Sequence, residues 1–238
     1  MRTRWRQAAN ERTARPDGLP ESDARADAHA ESDARRELAT LRDLENRWRR
    51  QPVRDERIND HLRALLDKSG VVGGRVLEIG GRGHPRAHVF DPAAFGYDNL
   101  DLDPAIATVP GDITNCPEIP DASFDVILSV DVFEHLTQPW RAAAEMVRLL
   151  APGGFVYTST LFSWRYHPCP VDFWRYTPDA LEFLFSDLDL LDSGFDLTER
   201  RRDFRKKSAA DPAPLDALGG WRENVRVFHA AVKPKASA

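Results

Sequence analysis

Residues 121–136 read DASFDVILSVDVFEHL. Within them FDVILSV (124–130) is the strongest strand of the chain, a short apolar run too brief for a helix. Downstream, Pro139, Trp140, Ala143, Ala144, Val147 and Leu150 recur at helical spacing until Pro152-Gly153-Gly154 stops them. FVYTSTL (155–161) then reads as a further strand. Upstream, RVLEIGG (75–81) is a buried strand ending in glycine, YDNLDLD (97–103) is a second, and a weak third precedes Gly111-Asp112. Strands alternating with helices predict a mostly parallel sheet covered on both faces.

The flanks are less regular. Residues 1–34 carry arginines, acids and alanines with almost nothing large and apolar, so a disordered tail is expected there. From 35 to 69 two helices are expected. The first carries Leu38, Leu41, Leu44 and Trp48, and the second, over 54–68, carries Ile58, Leu62, Leu65 and Leu66 on one face. They would pack on the core or pair two chains as a homodimer. The sheet domain would occupy 70–238. Thr177-Pro178-Asp179 supplies an N-cap, a first-turn proline and a first-turn acid for a late helix, and Phe183, Leu184 and Phe185 are expected in its core face. Residues 195–202 and 225–232 read as two final strands, an antiparallel pair.

Composition excludes several classes. The chain has 238 residues, 42% of them apolar, and a formal net charge of −5, which gives no pull toward nucleic acid or anionic membrane. There is no apolar run long enough to span a bilayer and no secretory leader pattern, so a cytoplasmic protein without a membrane role is expected. The two cysteines, Cys116 and Cys169, show no metal-type pairing and are expected as free thiols.

In open parallel sheets, ligands bind beyond the carboxyl ends of the strands. The first end carries Glu78, Gly80, Gly81 and Gly83, where glycines let backbone approach a ligand and the acid faces a cation. The second carries Asp101, 23 residues past Glu78, placed for a ribose diol. The third carries Asp112 beside Ile113, an acceptor and an apolar wall that suit an adenine edge and face.

VLEIGGRG, NLDLDP, GDITNCPEIPDASFDVILSVDVFEHL and LLAPGGFVYTST together resemble the successive motifs of class I S-adenosylmethionine-dependent methyltransferases. The resemblance spans about residues 70–162. It implies an α/β, Rossmann-like doubly wound sheet of seven strands in the order 3-2-1-4-5-7-6, the last antiparallel, here with an N-terminal helical extension. It also implies S-adenosyl-L-methionine as cofactor. Glu78, Gly80, Gly81 and Gly83 would cradle its methionine end, Asp101 and Leu102 its ribose, Asp112 and Ile113 its adenine, with the backbone after Val130 closing the pocket. The glycine spacing departs from the family pattern, and 84–95 is short and proline-interrupted, so the helix after the glycine turn is expected to be only a turn or two. A nicotinamide-binding domain would want a full G-x-G-x-x-G, which is lacking.

FSWRYHPCPVDFWRYTPDALEFLF (162–185) crowds aromatics, prolines and two arginines after the fifth strand. This stretch resembles small-molecule methyltransferases linked to glycan and secondary-metabolite pathways, so 162–180 is expected to face the acceptor. Trp164, Tyr166, Phe173 and Trp174 offer flat faces for a sugar or aromatic acceptor, and Arg175 a cation for an anionic group unless Asp172 takes it. His167, His135 and Asp172 are the candidate proton-handling residues. A lower-ranked alternative places a divalent metal on Asp131, Glu134 and His135, which stand at i, i+3 and i+4 on one face of an expected helical turn, with His167 added, as in metal-assisted 2′-O- or catechol-type methyltransferases. A non-catalytic cofactor-binding subunit is the remaining alternative. The expected reaction is O-methylation of a small, sugar-containing or secondary-metabolite molecule.

Overall fold

The computed structural model describes residues 32–40, 54–81, 86–164, 166–202 and 221–235. Most of the N-terminal tail, the Leu41–Trp48 part of the first expected helix, Gly83, Arg165 and the 203–220 segment lie outside the described residues. The chain divides into two compact units, Met1–Gln51 and Pro52–Ala238. In the first, residues 32–40 form a helix, α1, whose described side chains are exposed.

In the second unit, seven strands run β1 (Gly74–Ile79), β2 (Phe95–Asp101), β3 (Val109–Pro110), β4 (Phe124–Val130), β5 (Leu150–Ser163), β6 (Asp189–Arg202) and β7 (Trp221–Val232). They form one sheet in the order β3-β2-β1-β4-β5-β7-β6. The pairs β1/β2, β1/β4, β2/β3 and β4/β5 are parallel, and β7 is antiparallel to both β5 and β6. The expected topology and the antiparallel last strand are therefore observed. Helices α2 (Arg54–Ser69), α3 (Pro139–Leu149) and α4 (Pro178–Leu184) complete the unit.

The sheet has a core on each face because successive strand residues point to opposite sides. One core joins Leu77, Ile79 and Ile127 of the sheet to Ala142, Ala143, Met146 and Leu149 of α3 and Leu181 of α4. The other joins Val76, Val126, Leu128 and Val130 to Ile58, Leu62, Leu65 and Leu66 of α2. The whole apolar face of α2 is thus spent on the sheet. Thr177 caps α4 as its sequence dictates, its side chain accepting from the Ala180 N–H with Pro178 in the first turn.

Three local expectations are corrected. Phe183 is 80% exposed, while Phe185, two residues on, is buried. A helix of only 7 residues has one narrow buried stripe, so a pattern of three consecutive apolar residues cannot all lie on it. Strand β5 begins at Leu150, before Pro152-Gly153-Gly154, so the glycine turn is a kink within the strand. Added to Gly154, a Cβ would sit 2.8 Å from the Ala151 carbonyl oxygen and 2.9 Å from that of Asp125, so only glycine lets β4 and β5 close up there. Finally, residues 133–135 form a single 3-10 turn rather than an α-helical turn.

Candidate active site at the carboxyl edge of the sheet

The topology reverses between β1 and β4, which sit side by side while their connections leave in opposite directions. A cleft at their carboxyl ends follows from that reversal. Gly80 and Gly81 line it with φ of +79° and +96°, a left-handed turn open to glycine. Added to Gly80, a Cβ would meet Val132 Cγ2 at 2.7 Å. The turn is held from below: Gly80 N–H donates to the Leu100 carbonyl at 2.8 Å, and Asn99 Nδ2 donates to the Gly80 carbonyl at 3.1 Å.

Glu78 is fully buried beneath this turn. Arg86 Nη1 donates to its Oε1 at 2.8 Å, the Arg86 N–H to its Oε2 at 2.9 Å, and the Tyr97 hydroxyl also donates to Oε2. The carboxylate thus ties the 3-10 segment Arg86–Val89 to β1 and β2. Burial beside that carboxylate pushes the Tyr97 hydroxyl far above its usual range, so it stays a donor. Sequence reading found Glu78 and the short segment after the turn, but not Arg86 or Tyr97.

Asp101 ends β2 half-exposed, its Oδ1 accepting from the Asp103 N–H at 3.0 Å. Leu102 beside it is 74% exposed. Asp112 is exposed and accepts from the Thr114 N–H and hydroxyl, each at 2.8 Å, while Ile113 is buried in the core. The residues fit a nucleoside cofactor: two carboxylates on successive strand ends flank a leucine with no apolar cover, and the glycine turn lies beside them.

Val130 is buried at the end of β4, and Asp131 after it adopts φ +56°. Its Oδ2 accepts from Arg226 Nη2 at 2.8 Å. Arg226, on β7, is 1% exposed and lies with its guanidinium carbon 5.3 Å from the Trp164 ring centre. Burial lowers its pKa to about 10, leaving it protonated near neutrality. This corrects the metal alternative in one respect: Asp131 is turned to Arg226 and stands apart from the cluster formed by Glu134 and the histidines. Arg226 was missed, although an arginine within VRVFHAAV, a run apolar but for it and His229, was the available signal.

The aromatic segment is pinned to the turn after β4. Phe173 and Trp174 N–H groups donate to the Glu134 carbonyl at 2.8 and 3.2 Å. Trp174 Nε1 donates to the Leu136 carbonyl at 2.7 Å, and the Tyr176 hydroxyl to that of Phe133 at 3.0 Å. Backbone pairing of this kind brings His167 to His135, with ring centres 5.2 Å apart. Glu134 is fully buried, and Thr160 donates to its Oε2 at 2.7 Å. His167 Nδ1 lies 3.1 Å from Asp172 Oδ2, and Arg175 grips Asp172 through both oxygens at 2.6 and 2.8 Å.

Arg175 also donates to the Trp164 and Trp174 carbonyls, so it braces the segment rather than presenting itself to an acceptor. Burial favours a neutral Asp172, but the hydrogen bonds from Arg175 and the His167 backbone outweigh it and hold the carboxyl well below its usual range. Burial lowers the His167 pKa, against the pull of Asp172, so the ring is neutral at pH 7. Tyr166, Phe173 and Trp174 are 55%, 47% and 38% exposed, and Trp164 is half-buried beside His167, its ring centre 6.3 Å away. The structure therefore gathers His135, His167, Asp172, Trp164 and Trp174 at one edge.

Known proteins bear on this arrangement. A family model described as a methyltransferase domain matches residues 91–158. An uncharacterized methyltransferase of Mycobacterium ulcerans is 34% identical over 101 residues, 37% of this chain and 40% of that protein. One of Mycobacterium tuberculosis is 33% identical over 100 residues. The matched stretch thus spans about two fifths of these relatives. Among solved structures, a methyltransferase-assigned protein of Bacillus halodurans superposes with a TM-score of 0.57 at 14% identity, covering 72% of this chain and 98% of that one. The [4+2]-cyclase SpnF does so at 0.53 and 17% identity, covering 76% and 82%. The strand order and the superpositions agree on the fold of these methyltransferase-like structures, and residues 91–158 are similar to the methyltransferase domain.

Proposed function

We propose that the chain transfers a methyl group from S-adenosylmethionine to a hydroxyl of a small-molecule acceptor, sugar-containing or of secondary-metabolite type. The observation that carries this reading is convergence: the glycine turn after β1 and the His167–Asp172 pair after β5 meet at one edge, with the tip of β4 between them. The bound sulfonium supplies a carbon already carrying a good leaving group. The chain's own work is then mostly positioning, and well-oriented pairs reach effective molarities of about 10⁵–10⁸ M.

Asp101 holds the ribose hydroxyls, with Leu102 packing alongside, and Asp112 holds adenine, while the Ile113 side chain, buried in the core, anchors that turn. Gly80, Gly81 and the backbone after Val130 hold the methionine end, and Glu78 acts through Arg86 to keep that turn in shape. Trp164, Tyr166, Phe173 and Trp174 wall the acceptor and keep water away from the transferring carbon. The acceptor's proton leaves toward the cluster of Glu134, His135 and His167. Asp172 orients His167 by accepting from Nδ1, which leaves Nε2 with its lone pair exposed to the pocket.

The test is transfer of a radiolabelled methyl group to a panel of sugar nucleotides, glycosides and hydroxylated aromatics. A hydroxylated acceptor is expected to take label, and His167→Ala to lower kcat by roughly 10²–10⁴-fold while cofactor affinity stays as in the parent. Label appearing only on amines would contradict O-methylation. A variant that loses cofactor binding together with turnover would contradict the placement of His167.

A further inference from the structure

We propose that Glu134, His135 and His167 form a divalent transition-metal site at the acceptor end of the pocket. The evidence is a set of potential ligand atoms gathered around one centre. Glu134 Oε1 is buried and has no hydrogen-bond partner, although its sister oxygen is satisfied by Thr160. A buried, unpartnered carboxylate oxygen is costly and calls for a cation or a donor. The nearest groups are His135 Nε2 at 3.7 Å and His167 Nε2 at 4.0 Å.

Neither of those nitrogens is a donor in the neutral ring. His135 Nδ1 lies 2.5 Å from the Val171 carbonyl oxygen, which can only accept, so the proton sits on Nδ1. His167 Nδ1 likewise faces the Asp172 carboxylate, itself clamped by Arg175. A ring nitrogen donating to a carbonyl or carboxylate while the other faces a shared centre is how metal-bound imidazoles are held, and such partners also raise ligand basicity. All three ligand atoms lie within 4.8 Å of one another. Tetrahedral bonds of about 2.0–2.2 Å place ligand atoms roughly 3.3–3.6 Å apart. From a spread of up to 4.8 Å, an approach of up to about 1.5 Å by His167, whose ring rides on a loop, would close the set.

Two imidazoles and one carboxylate select zinc, cobalt, nickel or iron over magnesium or calcium, which prefer oxygen cages. Three protein ligands leave coordination positions open toward the pocket. An ion there would occupy the His167 Nε2 lone pair and, in place of that nitrogen, would ease loss of the acceptor's proton by lowering the pKa of its hydroxyl. That role rests on the methyl-transfer reading above, whereas the affinity for metal does not.

The test uses the full chain, stripped with chelator and titrated with Co²⁺ alone in the absence of cofactor. A visible absorption band saturating at one ion per chain is expected. His135→Ala and His167→Ala are each expected to abolish it while melting cooperatively by circular dichroism. Asp172→Asn keeps all three ligands but removes an orienting carboxylate, and should weaken affinity about 10–100-fold. No saturable band, or a band that survives both histidine substitutions, overturns the site. Binding with turnover indifferent to chelator overturns its role in catalysis. Binding of Co²⁺ by a chain that takes no S-adenosylhomocysteine supports the metal site and overturns the methyl-transfer reading instead.

Discussion

Glu78 shows how a single residue can be found from sequence while its role is not. An acid closing an apolar strand run is visible as a candidate for cofactor contact. Its partner Arg86, eight residues on, and Tyr97, on the next strand, carry no local pattern that links them to it. In the structure the carboxylate is wholly buried and paired. Removing one member of a buried pair leaves the other uncompensated, so Arg86→Ala should destabilise the chain by roughly 3–5 kcal/mol, read from urea unfolding. Glu78→Gln, which keeps an acceptor for Tyr97 and Arg86, should cost less. Phe183 and Asp131 failed in the opposite way. Their sequence neighbours suggested a helix face in each case, but backbone geometry, a short helix and a left-handed residue, turned them elsewhere.

At the level of elements, the strands and caps were legible because their signals are local. Thr177-Pro178 gave the start of α4, and Thr177→Ala should cost about 1 kcal/mol through the lost cap, measurable by thermal melting. Strand β7 carries a less visible liability. His229 is 1% exposed, stacks on Phe185 with ring centres 5.1 Å apart, and burial lowers its pKa to about 4. Between its unfolded value, near 6.5, and about 4 the unfolded chain binds a proton that the folded chain refuses. Stability from this residue is therefore complete above the unfolded pKa and falls as pH drops through that window. His229→Phe should melt with a shallower decline from pH 7 to pH 4 than the parent. An equal decline in both would place the acid sensitivity elsewhere. The aromatic segment lay between these cases. Its composition marked it as functional, but its course depends on hydrogen bonds to the Glu134 and Leu136 carbonyls, 38 to 40 residues away in sequence, which no local pattern encodes.

For the whole molecule, the strand order was legible through the family resemblance that the glycine turn, Asp101, Asp112 and the Glu-His turn carry in one order along the chain. What fixes the acceptor was not legible. It depends on which rings of 162–180 remain exposed after packing, and that is set by long-range contacts. The same edge carries the central claim, that a nucleoside cofactor lies across the ends of β1, β2 and β4 with its ribose on Asp101. Saturating ligand at about 100 times its Kd should stabilise the chain by about 2.7 kcal/mol, a shift visible in any melt. The most direct measurement is calorimetric titration of S-adenosylhomocysteine into the parent and into Asp101→Ala. One site per chain in the parent is predicted, weakened about 10–100-fold by loss of the charged hydrogen bonds. No binding to the parent, or equal affinity in the two proteins, would contradict it.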